Sequence, residues 1–428
     1  MHHPRQRIRK PIHWKATIAI LGGLAVLVVA TVWVALYASQ RTTIIEVLAI
    51  VNPPGPAAGD VNLTQTGTLG GLQPVPLEVP AAFSNGTFAQ ERTLNVPRGF
   101  RVSVYATNTP GARFMALNSE GVTLVSLMKS GKVVALPDRN RDGVADEVIT
   151  FADGLNLPHG LAFREGWLYV AENHQVVRFR DENGDLRADG AGEVVVPNLP
   201  SGGGHVTRTL AFDRTGQLYV SVGSSCNVCV DQEHRAAILK YGSNGENETL
   251  YATGLRNSVG LVLNQPSGEL WATDNGRDFL GDNLPPEEVN KIVQDGNYGW
   301  PYCYGDNTVD PEYNQPQRCV NARPPVVKMQ AHSAPLGLRF YSGSQFPTEY
   351  RDQLFVAFHG SWNRREPTGY KVVMIGNLRT APQVVDFVTG WLEAGKAWGR
   401  PVDIIVAADG SLLVSDDHAG AIYRIFYP

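Results

Sequence analysis

The sequence predicts an all-β protein, a six-bladed β-propeller preceded by an N-terminal transmembrane helix. Three observations lead to this prediction. One short strand pattern recurs six times along the chain, a polar turn pattern occurs twice at about the spacing of one blade, and a long uncharged apolar run precedes both. The 44 Gly and 28 Pro residues among 428 would supply the many turns that such a fold requires.

The transmembrane helix is predicted for residues 16–37, which carry no charge and are rich in Ile, Leu, Val and Ala. At about 1.5 Å per helical residue, this run can cross a bilayer. The basic residues before it should stay in the cytoplasm, so the chain after residue 40 should lie in the periplasm or outside the cell. We interpret residues 1–40 as an uncleaved signal anchor in the cell membrane; a cleaved secretion signal is the alternative.

Residues 41–90 are rich in Pro, Gly, Thr and Asn, which predicts an extended tether, and residues 91–428 are predicted to form the propeller. The six copies of the strand pattern are GVTLVSL from Gly121, GWLYVAE from Gly166, GQLYVSV from Gly216, GELWATD from Gly268, DQLFVAF from Asp352 and GSLLVSD from Gly410. Their starts are 45, 50, 52, 84 and 58 residues apart, which is typical of four-stranded blades with one enlarged interval. Helices should be short and confined to insertions such as residues 284–292.

The polar turn pattern places oxygen-bearing side chains at alternate positions. Its first copy contains Asp138, Asn140, Asp142 and Asp146, and its second contains Asp181, Asn183, Asp185 and Asp189 at the same offsets. Such oxygens can surround a calcium ion, although neither copy has the Glu that closes an EF-hand loop. The alternative is a pair of inter-strand turns closed by Asx hydrogen bonds, and the sequence leaves both interpretations open.

Four loops next to the strand repeats combine His, Arg, Asn and acidic side chains, which can transfer protons and bind anions. They are GGGHVTRTLAF around His205, GLRNSVGL around Arg256, TDNGRDFLGDN around Gly276 and FHGSWNRREPTGYK around His359. Because propellers bind ligands where their loops converge at the mouth of the central channel, we expect these loops to form one site. The net charge of -4 argues against a nucleic-acid partner.

These loops resemble those of the quinoprotein sugar dehydrogenase family, which includes soluble glucose dehydrogenases, sorbosone dehydrogenase-like proteins and fungal pyranose dehydrogenases. The resemblance covers about residues 90–428 and includes the stretch ATDNGRDFLGDNLPPEEVNKIVQDGNYGWP. It implies a six-bladed propeller that binds pyrroloquinoline quinone and calcium. It also implies oxidation of an aldose or a related sugar aldehyde.

The resemblance assigns roles to the residues of three loops. His205 matches the family's general base, which takes the proton of a sugar hydroxyl. Arg256 and Asn257 match a pair that contacts the cofactor, and the Arg256 guanidinium would also stabilise the charge of the reduced quinone during catalysis. Gly276 and Arg277 match the positions whose backbone carbonyls hold calcium, although the soluble glucose enzymes have Pro where this chain has Arg277.

Further cofactor contacts are implied for Arg400, which falls where the glucose enzymes have two Arg, and for His359, which replaces their Lys. Arg113 from the first blade is another expected contact. Trp362 could form a wall of the cofactor or sugar site, because aromatic faces stack on flat rings. An ordinary structural role is the alternative for Arg113 and Trp362. It is also the alternative for the three residues His205, Arg256 and Asn257.

The four Cys residues are expected to form the disulfides Cys226–Cys229 and Cys303–Cys319, because the predicted compartment is oxidising. A zinc site and a redox role for CNVC are the alternatives. No His follows the second Cys of CNVC, so covalent haem attachment is not expected. The electrons would therefore pass to an external acceptor, a quinone or a cytochrome.

Two other functions fit a six-bladed propeller. A calcium-dependent hydrolase of the lactonase type would hold a central calcium through carboxylate and amide side chains from several blades. A propeller without redox chemistry would only bind a carbohydrate or a protein, since fold alone does not determine function. The retained His205, Arg256 and Asn257 favour the dehydrogenase over both.

Overall fold

The computed structural model describes residues 71–428, which form a six-bladed β-propeller and thereby confirm the predicted all-β fold. These residues contain 3-10 turns and strands but no α-helix. The turns are Ala81–Phe83, Gly86–Phe88, Met128–Ser130, Pro316–Arg318 and Thr348–Tyr350. The described part of the chain has no helix long and apolar enough to cross a membrane. The transmembrane helix predicted for residues 16–37 lies outside the described residues.

Each blade is a four-stranded antiparallel sheet, numbered here in chain order and described from its inner strand outward. Blade 1 consists of Ala112–Leu117, Thr123–Leu127, Lys132–Leu136 and Ile149–Ala152. Blade 2 consists of Leu161–Arg164, Trp167–Ala171, Val176–Phe179 and Glu193–Val196. Blade 3 consists of Arg208–Phe212, Leu218–Val222, Ala237–Tyr241 and Thr249–Thr253, with Gly296–Asn297 added in parallel at its outer edge.

The last three blades follow the same plan. Blade 4 consists of Leu261–Asn264, Glu269–Asp274, Glu287–Ile292 and Val327–Met329. Blade 5 consists of Pro335–Phe340, Leu354–Phe358, Lys371–Gly376 and Gln383–Val388. Blade 6 consists of Pro401–Val406, Leu412–Asp416, Ala421–Phe426 and Arg101–Ala106. Each predicted copy of the strand pattern forms the second strand of a different blade.

The inner strands form a closed ring around a central channel, because each contacts the inner strand of the next blade and blade 6 contacts blade 1. The ring is held shut within blade 6, where the early strand Arg101–Ala106 pairs with the last strand, Ala421–Phe426. Successive apolar residues of a strand pack against the blades on opposite sides. Leu168 and Val170 of blade 2, for example, share an apolar cluster with Val133 of blade 1. Hydrogen bonds between an early and a late strand therefore close the ring of blades.

Part of the segment predicted to be a tether, residues 41–90, also has defined structure. Leu72–Pro76 pairs with Thr93–Pro97, and Leu77 and Phe88 are buried in the apolar cluster that includes residues of blades 5 and 6. These apolar side chains account for the packing of residues 72–97 against the propeller. Two further small sheets lie in loops and consist of Cys303–Tyr304 with Thr308–Val309 and Leu392–Glu393 with Lys396–Ala397.

The helix expected within residues 284–292 is wrong. Glu287–Ile292 is the third strand of blade 4 and pairs with strands on both sides. Val289 is fully buried between the blades, and this burial together with the sheet hydrogen bonds outweighs the local helix preference of the Pro-Glu-Glu sequence. The long insertion between this strand and Val327–Met329 accounts for the enlarged interval of the repeat.

Both predicted disulfides, Cys226–Cys229 and Cys303–Cys319, are present. The zinc alternative is therefore excluded for the described chain, because none of its cysteines is free. A CxxC disulfide joins residues of one loop, whereas the second one staples the insertion of blade 4. Each bond constrains a segment that adjoins the site described below.

The two polar turns share a network of hydrogen bonds from backbone amides to side-chain oxygens. Asp138 accepts from the backbone N–H groups of Asp142 and Gly143, and Asp181 accepts from those of Gly184, Asp185 and Leu186. The Asn140 and Asn183 side chains accept from the backbone N–H groups of Asp142 and Asp185. The last acidic residue of each turn closes it, because Asp146 accepts from the N–H of Arg139 and Asp189 from that of Glu182. These bonds support the Asx-turn interpretation, and calcium at these turns stays a prediction.

Candidate functional site

The predicted site residues lie at one end of the central channel. In each blade a polar residue precedes or begins the inner strand, and successive inner strands run in the same direction. These residues are Arg113 in blade 1, His159 in blade 2, His205 in blade 3, Arg256 and Asn257 in blade 4, His332 in blade 5 and Arg400 in blade 6. His159 and His332 were not predicted from the sequence, because their common position before an inner strand depends on the alignment of the blades.

The His205 imidazole is held in a single orientation. Its Nδ1 lies 2.9 Å from both the carbonyl oxygen and the hydroxyl oxygen of Ser224. Because a carbonyl can only accept, Nδ1 carries the proton and Nε2 keeps its lone pair. Burial lowers the pKa of His205 to about 4, and the nearby positive charge of Arg256 contributes in the same direction. His205 is therefore a neutral imidazole at physiological pH and is able to accept a proton.

Gly223 allows His205 and Asn257 to approach each other. A Cβ atom on Gly223 would lie 2.6 Å from the His205 Cβ and 2.8 Å from the Asn257 Oδ1. Both distances are shorter than ordinary van der Waals contacts, so a larger residue would displace both side chains. Gly223 directly follows the strand Leu218–Val222, which places both side chains against the rigid second strand of blade 3.

Arg256 is almost completely buried and its guanidinium is fully bonded. Nε donates to the carbonyl of Asn227 at 2.8 Å, and Nη2 donates to the Asn227 Oδ1 at 2.9 Å. Nη1 donates to the carbonyls of Asn275 at 3.0 Å and Gly276 at 2.8 Å. Asp278 lies 3.4 Å from Nη2 and balances part of the charge. The planar fork is thus fixed on every edge, as expected for a cation that must act in one place.

The backbone of the Arg256 loop is held by Asp274 at the end of the second strand of blade 4. Its two carboxylate oxygens accept from the backbone N–H groups of Arg256 at 3.0 Å and Asn257 at 2.7 Å. Burial raises the pKa of Asp274 to about 7 in spite of these bonds. Asp274 therefore stabilises the backbone of the loop that carries Arg256 and Asn257.

The Gly276 carbonyl, one of the two expected calcium ligands, accepts the hydrogen bond from Arg256. The Gly276 N–H donates to the Glu287 Oε2 at 2.8 Å, and a Cβ on Gly276 would lie 2.6 Å from the Pro285 Cγ, so the backbone here is tightly enclosed. The Arg277 side chain makes a buried ion pair with Asp310 at 3.0 Å. Asp310 belongs to the disulfide-stapled insertion, which explains how Arg can occupy this position: its charge is neutralised away from the channel.

Two other predicted residues, His359 and Arg113, meet at Asp417, which was not predicted from the sequence, and Arg400 bonds the backbone beside them. The His359 Nε2 lies 2.8 Å from the Asp417 Oδ1, and the Arg113 Nη1 donates to the Asp417 Oδ2 at 2.9 Å. Arg400 donates to the carbonyls of His359 and Gly360 at 3.0 and 2.7 Å. Burial lowers the pKa of His359 to about 4, and its partners hold the pKa of Asp417 below its usual range.

The loop after His359 joins this cluster to Arg256. Asn363 donates to the Asp278 Oδ1 at 2.5 Å, and Asp278 in turn contacts Arg256. Trp362 is 65% exposed and meets Phe279 edge-on, with ring centroids 6.2 Å apart. Its predicted role as a wall of the site stays a prediction. The bonds of Asn363 place the two clusters in one continuous network.

The chemistry of the site fits a ligand that carries negative charge. Three guanidinium groups, those of Arg113, Arg256 and Arg400, lie at the same mouth of the channel, and the buried Arg113 Nε has no hydrogen-bond partner among residues 71–428. The Gly276 carbonyl oxygen accepts a hydrogen bond from Arg256 Nη1, and its second lone pair is the one that could coordinate a cation. Within the described residues, the one cluster of three metal-ligating side chains is Cys226, Cys229 and Asp231, and its thiols are in a disulfide.

Fold and site together define a propeller with a proton acceptor beside buried cations at its channel mouth. The chain belongs to the TrAA12-like family, whose model matches residues 94–427. An uncharacterised protein of Borreliella burgdorferi is 33% identical over 353 residues, which cover 78% of this chain and 91% of that protein.

Two further matches are a named enzyme and a solved structure. The pyrroloquinoline quinone-dependent pyranose dehydrogenase of Coprinopsis cinerea is 24% identical over 404 residues, which cover 78% of this chain but 54% of that enzyme. The calcium structure of the Trichoderma reesei family AA12 carbohydrate-active enzyme has a TM-score of 0.70 at 23% identity and covers 78% of this chain and 96% of the other. This structural similarity supports the fold.

Proposed function

We propose that this protein is a sugar dehydrogenase that uses pyrroloquinoline quinone and calcium and oxidises an aldose or a sugar aldehyde. The observation that carries the proposal is the pairing of a neutral His205, with its Nε2 lone pair available, and the fully bonded Arg256 guanidinium. The similarity to a pyranose dehydrogenase of the same cofactor class supports it.

In the proposed reaction, His205 Nε2 accepts the proton of the sugar hydroxyl while the Nδ1–H bond to Ser224 holds the ring in place. The carbon that bears this hydroxyl loses a hydride and becomes a carbonyl. Pyrroloquinoline quinone, when bound, would supply the two-electron acceptor for that hydride. Arg256 and Asn257 would orient it, and Arg256 would stabilise the negative charge that develops on it.

The remaining residues predicted to contact the cofactor are two arginines and a neutral histidine, and the arginines would bind its anionic edge. Arg113, Arg400 and His359 are the residues proposed for this contact, and Asp417 keeps the first and last of them in position. The carbonyls of Gly276 and Arg277 would hold calcium, which acts as a Lewis acid. The lactonase alternative is less well supported, because the described channel residues form no carboxylate cluster for a central metal.

We further propose that residues 1–40 anchor the enzyme in the cell membrane, with the propeller in the periplasm or outside the cell, and that a quinone or cytochrome accepts the electrons. The disulfides agree with an oxidising compartment. Protease treatment of intact cells, compared with permeabilised ones, tests this topology. Protection of the propeller in cells whose outer barrier has been opened would contradict it.

The experiment that tests the activity begins with the purified full-length chain without cofactor. Pyrroloquinoline quinone and calcium are titrated in, and dye reduction is followed over a panel of aldoses and, separately, hydrolysis over a panel of lactones. Saturable binding with sugar-dependent reduction that is lost in His205→Gln supports the dehydrogenase. Absence of cofactor binding in the presence of calcium contradicts it, and lactone hydrolysis would then identify the alternative.

A further inference from the structure

The loop Ser224–Cys229, called the disulfide loop below, touches both residues that the proposed function needs most. Ser224 contacts His205, and Asn227 contacts Arg256. We propose that the disulfide loop is the positioning element that fixes His205 and Arg256 relative to each other, and that Asn227 acts through Arg256. This inference rests on the proposed function for its catalytic consequence, but its structural part can be measured without cofactor.

Asn227 holds Arg256 through both its backbone and its side chain. Its carbonyl accepts from Nε at 2.8 Å and its Oδ1 accepts from Nη2 at 2.9 Å, so two edges of the guanidinium are fixed by one residue. The same Oδ1 accepts the backbone N–H of Asp278 at 2.8 Å. Both lone pairs of the amide oxygen are thus occupied, and the Asn227 side chain cannot rotate without breaking two bonds.

Ser224 connects the same loop to the proton acceptor. Its hydroxyl donates to the Cys226 carbonyl at 2.7 Å, which directs an oxygen lone pair of the hydroxyl toward His205 Nδ1, 2.9 Å away. The Ser224 carbonyl accepts from the same Nδ1. The orientation of the His205 ring therefore depends on the backbone position of Cys226, one half of the disulfide.

The disulfide loop is itself fixed at both ends. The Cys226–Cys229 bond closes it around Asn227, and Asp231 accepts from the N–H of Ser225 at 2.6 Å and from its hydroxyl at 2.8 Å. The loop follows the buried second strand of blade 3. A loop closed in this way transmits any movement of Asn227 to Ser224, so the two catalytic groups should shift together when the disulfide is removed.

A double-mutant cycle tests whether Asn227 acts through Arg256. Asn227→Ala should lower kcat about tenfold or more while the KM for the sugar changes less than about threefold, because a hydrogen bond to a charged group is lost and no sugar contact is. In an Arg256→Lys background, which lacks the guanidinium fork, Asn227→Ala should change kcat less than about twofold. Asn244→Ala is the matched control, since it removes an Asn bond to Arg178 on the outer part of the propeller and should leave kcat unchanged. Equal effects of Asn227→Ala in both backgrounds would overturn the proposal.

The second measurement needs neither cofactor nor sugar. In the cofactor-free full-length chain with 15N-labelled histidine, the His205 ring signals, assigned with His205→Asn, should report a protonated Nδ1 and an unprotonated Nε2. In Cys226→Ser/Cys229→Ser these signals should move toward a mixture of tautomers. Unchanged signals would refute the positioning role. Because this result does not require activity, inactivity of the wild-type chain would contradict the proposed function without obscuring the test of the loop.

Discussion

Gly223→Ala is the substitution that should separate catalysis from folding most cleanly. The added Cβ would lie 2.6 Å from the His205 Cβ and 2.8 Å from the Asn257 Oδ1. The φ angle of Gly223 is not positive, so an alanine can adopt the same backbone conformation. The perturbation is therefore steric and is directed at two residues of the proposed site.

The size of the effect follows from the contact distance. Carbon atoms reach their favourable separation at about 3.5 Å, so His205 must retreat by about 1 Å. A displacement of about 1 Å at a reacting group can cost about 100-fold in rate. Overpacking of this kind costs about 1–3 kcal/mol of stability, which leaves a large propeller folded. We therefore expect kcat to fall about 100-fold, with the thermal unfolding temperature changed much less.

The assay is sugar-dependent dye reduction by the cofactor-loaded enzyme, together with thermal unfolding of the same preparation. Gly376→Ala is the matched control, because Gly376 also ends a strand and its Cβ would meet no atom closer than 3.5 Å. The control should retain wild-type kcat. A Gly223→Ala enzyme with wild-type kcat would refute the assignment of His205 as the proton acceptor, because a 1 Å shift of a true base cannot be silent.

Three further predictions concern charge and metal. Sugar oxidation should be lost as the pH falls through about 4, because protonation of His205 removes the base and also destabilises the folded state. The measurement is the pH profile of kcat/KM. An acid limb near the ordinary pKa of histidine would contradict a buried, neutral His205. Asp417→Asn should lower the free energy of unfolding by about 3 kcal/mol, because it leaves the buried Arg113 without its charged partner. The control Asp386→Asn breaks the more exposed pair with Lys371 and should lower it by less than about 1 kcal/mol. Denaturant titration of both variants measures the difference. Calcium chelation should abolish sugar-dependent reduction and calcium should restore it; activity that persists after dialysis against chelator would remove calcium from the proposal.

Much of the propeller could be predicted because its second strands are nearly continuous apolar runs that follow turns. Each copy of the pattern, such as GQLYVSV from Gly216, marks a strand buried between two neighbours, and such a strand needs no long-range information to be recognised. Glu287–Ile292 could not be recognised in this way, because its two leading Glu residues are polar and buried. Burial raises the pKa of Glu287 to about 8, a cost that only the assembled blade offsets.

Site residues could be predicted where the residue and its own loop indicate a chemical role. They could not be predicted where the role depends on a contact with a residue distant in sequence. His205 and Arg256 could be named from their own loops, but Asp417 acquires its role by bridging His359 and Arg113, which are far apart in sequence. Asn227 lies between Cys226 and Cys229, and its place in the sequence does not indicate that it contacts Arg256. An Asn flanked by Cys next to a strand repeat was the one sequence feature that could have indicated its role. That feature can be interpreted only when the contact with the Arg256 loop is known.

The position of Arg256 sets a condition on metal binding. Its Nη1 donates to the carbonyl of Gly276, the atom proposed to hold calcium, and a carbonyl shared between a guanidinium and a divalent cation brings two positive charges together. Calcium binding should therefore weaken this bond. The bonds from Nε and Nη2 to Asn227 do not involve the metal position and would remain. Asn227→Ala removes the Nη2 bond and leaves only the Nε bond to the Asn227 backbone carbonyl, so it should weaken calcium-dependent cofactor binding as well as kcat, because Arg256 is held by fewer bonds once the cation weakens the one from Nη1.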